Sequence, residues 1–130
     1  MAMHKRAGLL FLSKSTKRVL VLLDGKYWTV PTFSRSSSVL EDSKEILENY
    51  SSGRILPVEL YTSKDNEFEF GTYVCLVNDE FNPHSLKTLA WASLDCLPAN
   101  LHPGLKSTLS NNIIQIKIKT IIDLNLDINL

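Results

Sequence analysis

This sequence predicts an α/β protein, and three observations carry the prediction. Short runs of β-forming residues lie on both sides of one acidic amphipathic helix at 39–50. Turn signals join those runs into antiparallel pairs, and a proline-led second helix follows the last of them at Pro103.

Taken in order, 7–13 and 18–23 are apolar runs separated by a polar turn at 14–17, which predicts a hairpin of buried strands. Asp24-Gly25 is the strongest short turn signal, because glycine accepts the positive φ of a two-residue hairpin, so 27–30 folds back as a third strand. Pro31 ends that strand. Residues 32–38 then read as a polar, serine-rich loop able to cap the helix that follows. In the helix, Val39, Leu40, Ile46, Leu47 and Tyr50, with small Ser43, form one stripe. Glu41, Glu45 and Glu48 fall on the opposite face, and Ser51-Ser52-Gly53 closes it. Residues 54–62 and 67–77 read as antiparallel strands, the first placed at an edge or bulge by Pro57. A short strand at 88–95 and a turn at 97–100 precede the second helix, which runs from Pro103 to about Asn111.

From Ile114 the even positions are almost all Ile or Leu, while most odd ones are Gln, Lys, Asp or Asn. Period two predicts a strand. The expected organisation is therefore a domain at 1–111 and a C-terminal β-strand extension at 112–130. An exposed apolar strand invites pairing, so the extension is expected to act as a dimerisation arm, joining a homo-oligomer by strand addition or exchange.

With 130 residues, 44% of them hydrophobic and 22% charged, the chain is the size and composition of one globular domain. Lys+Arg and Asp+Glu balance at 14 each, which argues against duplex nucleic acid as the main partner and leaves nucleotides open. The apolar run at 7–12 is too short for a signal peptide, and no segment reaches membrane-spanning length, so a cytoplasmic setting is expected. Cys75 and Cys96 show neither CxxC nor zinc spacing and read as reduced thiols. There is no phosphate-binding glycine loop, HExxH, EF-hand loop or nucleophile elbow.

Two stretches resemble one family. Ala7-Gly8-Leu9-Leu10-Phe11, Arg18-Val19-Leu20-Val21-Leu22 and Tyr27-Trp28-Thr29-Val30-Pro31 look like the opening of a Nudix hydrolase, where a hairpin leads into a W-x-x-P strand. Trp91-Ala92-Ser93-Leu94-Asp95-Cys96-Leu97-Pro98 and then Leu101-His102-Pro103-Gly104 resemble the closing segment of small phage-type Nudix hydrolases, which implies a host cytoplasm for a phage-encoded chain. The resemblance covers roughly 7–110. It implies an α/β/α sandwich whose mixed sheet is flanked by the two helices, and an ancestry among enzymes that cleave nucleoside diphosphate derivatives.

The family signature is G-x5-E-x7-R-E-U-x-E-E-x-G-U, with U bulky aliphatic. Glutamates one turn apart gather Mg²⁺, which neutralises a diphosphate and activates water. Here the box is degenerate. Thr32 and Phe33 replace the glycines. An ungapped count sets Leu47 and Glu48 at the Arg-Glu pair, whereas a loop three residues shorter aligns 44–49 and keeps Ile46 towards the core. In that register Ser36 stands for the loop glutamate, Lys44 for the arginine, Asn49 for one glutamate and Ser51 for the glycine. Lysine cannot make the bidentate fork of arginine on a carboxylate, so the brace of the site is weakened.

The resemblance leaves Glu45 and Glu48 as catalytic and magnesium-binding remnants, against the plainer reading of a solvated helix face. Asp79 and Glu80 are candidate stand-ins for a distal acid, or else ordinary loop charge. Tyr27 and Trp28 are candidates to stack on a nucleotide ligand, or else core residues. His102 reads as a cap. The expected function is a Nudix-fold binding or assembly module with little or no hydrolase activity. The alternative is a divergent Mg²⁺-dependent hydrolase that takes a further carboxylate from elsewhere.

Overall fold

The computed structural model describes residues 4–36, 39–42, 58–64, 67–82 and 87–123. Among the described residues seven strands form one sheet: β1 (His4–Ser13), β2 (Arg18–Asp24), β3 (Tyr27–Thr29), β4 (Thr32–Ser34), β5 (Val58–Lys64), β6 (Phe68–Val77) and β7 (Leu89–Ser93). Among the described residues the helices are α1 (Val39–Asp42), α2 (Pro103–Ser110) and α3 (Asn112–Asp123).

The sheet runs β3-β2-β1-β6-β5, with β4 beside β1 and β7 beside β2. It is mixed because β1 pairs parallel to β6 along its whole length, from His4↔Phe68 to Ser13↔Val77, while the other ladders are antiparallel. The opposite edge of β1 is divided. Its first half pairs with β4 (Arg6↔Ser34, Gly8↔Thr32), and its second half meets β2 at Leu12↔Val19.

Period two sorts the strand residues into two cores. Leu10 and Leu12 of β1 join Val74 and Leu76 of β6, Val19 and Val21 of β2, and the helical residues Leu105, Leu109, Ile114, Ile118 and Ile121. Ala7, Leu9 and Phe11 face the other way, with Leu20, Phe33, Tyr73, Cys75 and Val77. Each face is thus apolar, as a central sheet covered on both sides requires.

The predicted hairpins are present. Asp24 pairs with Tyr27 across a turn in which Gly25 has φ +63°, a conformation that costs a residue with a Cβ about 1–2 kcal/mol. The polar loop expected at 32–38 begins with a strand instead. Phe33 is buried while Thr32 and Ser34 are exposed, and three alternating residues suffice once the free edge of β1 lies alongside.

The tail differs most. The β-strand extension expected at 112–130 is helix over 112–123, so that part presents no strand edge; residues 124–130 lie outside the described set. A helical spacing of four is also a multiple of two, so Ile114 and Ile118 satisfy both periods. Two residues separate them: Ile116 is even but 65% exposed, whereas Ile121 is odd but 8% exposed. Asn111 turns the chain between helices. Its backbone ends α2 through a bond to the Thr108 carbonyl, and its Oδ1 accepts the N–H groups of Ile113 (2.9 Å) and Ile114 (3.3 Å) to start α3. No described helix is long and apolar enough to cross a membrane.

The two thiols are unlike. Cys75 is fully buried, and burial pushes its pKa up to about 12, whereas Cys96 is exposed. A disulfide reagent is therefore expected to label one thiol in the native protein and two after unfolding; two native labels would contradict the packing of β6. Because the folded pKa of Cys75 is raised, its contribution to stability is complete below its ordinary value of 9.0 and is lost as pH rises towards about 12.

Candidate ligand-binding site

β1, β4, β6 and α2 enclose a cavity of about 480 Å³ at the end of the sheet where β1 begins. Its floor follows from strand pairing. Arg6 and Gly8 lie beside Phe70 and Thr72 in the parallel ladder, so all four project to one face. A Cβ on Gly8 would stand 2.9 Å from Val30 Cγ2 and 3.3 Å from Phe70 Cζ, so the missing side chain lets the Phe70 ring lie across β1. Phe68 stacks next to Phe70, ring centroids 6.4 Å apart and 17° from parallel, and is 40% exposed. The floor is broad, aromatic and open.

Arg6 supplies the charge. Its guanidinium donates to Ser34 Oγ (3.1 Å) and Thr32 Oγ1 (3.0 Å), both from β4. Hydroxyls orient an arginine without neutralising it, and two such bonds leave other N–H groups of the fork for a ligand. The far wall is α2, and among the described residues the lining includes no carboxylate. The cavity therefore favours a ligand that is flat and apolar at one end and anionic at the other.

His102 stands at the start of α2 as the predicted cap: Gly104 N donates to its Nδ1 (3.1 Å). Its segment is held to β3 by two backbone bonds, Trp28 N to the Asn100 carbonyl and His102 N to the Trp28 carbonyl, both 2.8 Å. Trp28 packs against the helical core, and Tyr27 meets the His102 ring edge-on at 5.8 Å. Neither aromatic lines the cavity; Phe68 and Phe70 do. The alternation Phe68, Phe70, Thr72 on a strand was the available sequence signal, but only the parallel register with β1 sets it beside Arg6.

Glu45 and Glu48 lie outside the described residues. Glu80 is bound by Arg18 through Nε (2.5 Å) and Nη2 (2.6 Å), and those bonds hold its carboxyl below the usual range. That ion pair contributes above the ordinary carboxylate range and is lost as pH falls through the lowered value. Backbone bonds from Lys14 to Val77 and from Ser15 to Asn78 set the turn carrying Asp79 and Glu80 at the finish of β1. The loop into α1 meets β1 at Lys5, at the other end of that strand. At α1 itself, Asp42 accepts bonds from Ser36 and Arg35. Among the described residues no three His, Cys, Asp or Glu side chains converge to hold a magnesium ion.

No protein-family model matches the chain, and neither does any curated protein. Solved structures do. They include a MutT from work on Aliivibrio salmonicida and Vibrio cholerae, at 12% identity, covering 88% of this chain and 99% of that one with a TM-score of 0.67. The Nudix hydrolase RenU from M. smegmatis is 14% identical, with 98% and 90% covered and a TM-score of 0.64. An ADP-ribose pyrophosphatase from Streptococcus suis is also 14% identical, with 97% and 94% covered and a TM-score of 0.60.

Proposed function

On the Nudix hydrolase fold that this chain adopts, we propose that it serves as a nucleotide-binding module with a degraded catalytic motif and little or no hydrolase activity. The observation that carries the reading is the cavity, with its Phe68 and Phe70 floor, the Arg6 guanidinium at its rim and no carboxylate among its described lining residues. A nucleoside diphosphate derivative has the matching shape, a planar ring joined to an anion, and the Streptococcus suis protein is named for acting on one. Impaired hydrolysis is supported by the loop before α1. Thr32 and Phe33 occupy a strand where the family has glycines, and the Ser36 side chain is bound to Asp42.

Calorimetry with ADP-ribose in EDTA, followed by product analysis with Mg²⁺ or Mn²⁺, tests this reading. Binding without turnover is expected. Arg6→Ala should weaken it about tenfold or more, since a hydrogen bond to a charged group contributes about 1.5–3 kcal/mol. Turnover abolished by Glu45→Gln would establish the divergent Mg²⁺-dependent hydrolase instead, and no binding by this or a wider nucleotide panel would sink the proposal.

A further inference from the structure

On the sheet face opposite the cavity, one arginine ties three elements together. The backbone N–H of Arg35 donates to the Lys5 carbonyl of β1 (2.8 Å). Its guanidinium donates through Nη1 to the Tyr73 hydroxyl of β6 (2.8 Å), lies 5.7 Å over that ring, and reaches Asp42 Oδ2 of α1 through Nε (3.4 Å). Asp42 then closes the loop on itself, accepting Ser36 N at Oδ2 (2.8 Å) and Ser36 Oγ at Oδ1 (3.2 Å). The Asp42 side chain is 8% exposed and that of Arg35 is 20% exposed, so this is a largely dry charge pair with both carboxylate oxygens engaged.

In the family signature the arginine sits on the helix and the acid in the loop before it. In this chain those positions hold Lys44 and Ser36. We propose that Arg35 and Asp42 supply the brace with its polarity reversed, the cation from the loop and the anion from the helix, and that Arg35 is the positioning residue for the acidic segment that begins at Val39. The geometry explains the choice of residue. A planar fork bonds the Tyr73 hydroxyl and the Asp42 carboxylate from two different nitrogens in a fixed geometry, which the single nitrogen of an ammonium does not reproduce. Tyr73 also belongs to the core around Phe11 and Cys75, so the brace is anchored on the buried sheet rather than on another loop.

Amide hydrogen exchange on the full-length chain, read at residues 36–42 and separately in β1 and β6, tests the proposal. Arg35→Gln should accelerate exchange at 36–42 about tenfold or more while the strands keep their protection, since it removes a cation from a mostly buried carboxylate. Arg35→Lys should recover only part of this, and the double exchange Arg35→Asp with Asp42→Arg should recover more than either single variant. Tyr73→Phe removes one hydroxyl and keeps the fold, so it should raise exchange at 36–42 several-fold even if Arg35→Gln does not express. Unchanged exchange in Tyr73→Phe, an exchanged pair no better than its worse single variant, or acceleration spread evenly through β1 and β6 would each overturn the brace. ADP-ribose affinity distinguishes this from failure of the proposed function: it should fall in Arg6→Ala and hold in Arg35→Gln.

Discussion

Ile118→Ala is expected to destabilise the protein by about 2–5 kcal/mol, the range for emptying a buried Ile or Leu site, and to lower the thermal midpoint by several degrees. Ile118 is 3% exposed and packs in the core that joins the sheet to both helices. Its neighbour offers an internal control. Ile116 is 65% exposed, so Ile116→Ala should stay within about 0.5 kcal/mol of the parent, as surface changes do. A strand would give the reverse grouping, with the even-numbered Ile114, Ile116 and Ile118 acting alike and the odd-numbered Ile121 acting as a surface residue. Urea denaturation of the four alanine variants therefore reads the secondary structure of the tail directly. Equal losses at Ile116 and Ile118 would refute the helix.

Gly8→Val is expected to weaken nucleotide binding by at least about tenfold while leaving a folded protein. At 2.9 Å from Val30 Cγ2 and 3.3 Å from Phe70 Cζ, even the first added carbon meets two side chains, and the branched pair beyond it must push the Phe70 ring into the cavity. Overpacking of this kind costs about 1–3 kcal/mol, part of which Phe70 relieves because it is only half-buried. Calorimetry should show ADP-ribose affinity lost by at least about tenfold, and circular dichroism should show the sheet retained. Undiminished affinity would place the ligand elsewhere on the molecule.

The sheet was legible wherever a local signal existed. Asp24-Gly25 announces its hairpin, and Pro103 after His102 announces the start of α2, because turn and cap chemistry is written in adjacent residues. Longer-range facts were not legible. Thr32-Phe33-Ser34 has no strand signal of its own and is a strand because β1 offers an edge. The tail misled because four is twice two, and Asn111, whose side chain caps α3, looks in sequence like one more polar residue after a helix. At the site, Arg6 and Phe70 are far apart in the chain and become neighbours only through the parallel register. Arg35 and Asp42 are close in sequence, yet the partner that Arg35 finds in Tyr73 of β6 is not.

The parallel pairing of β1 with β6 also sets the order of events when the chain first folds. β1 can close its turn with β2, and β2 with β3, as soon as those residues leave the ribosome. The whole of its other edge must wait for residues 68–77. Contacts between such distant segments carry a loop-closure cost before they are rewarded, which slows folding relative to a helical bundle of equal size. Until β6 arrives, a strand whose residues 7–13 are all buried in the finished protein has an open edge, so a nascent chain stalled before residue 68 is the species most exposed to misassembly.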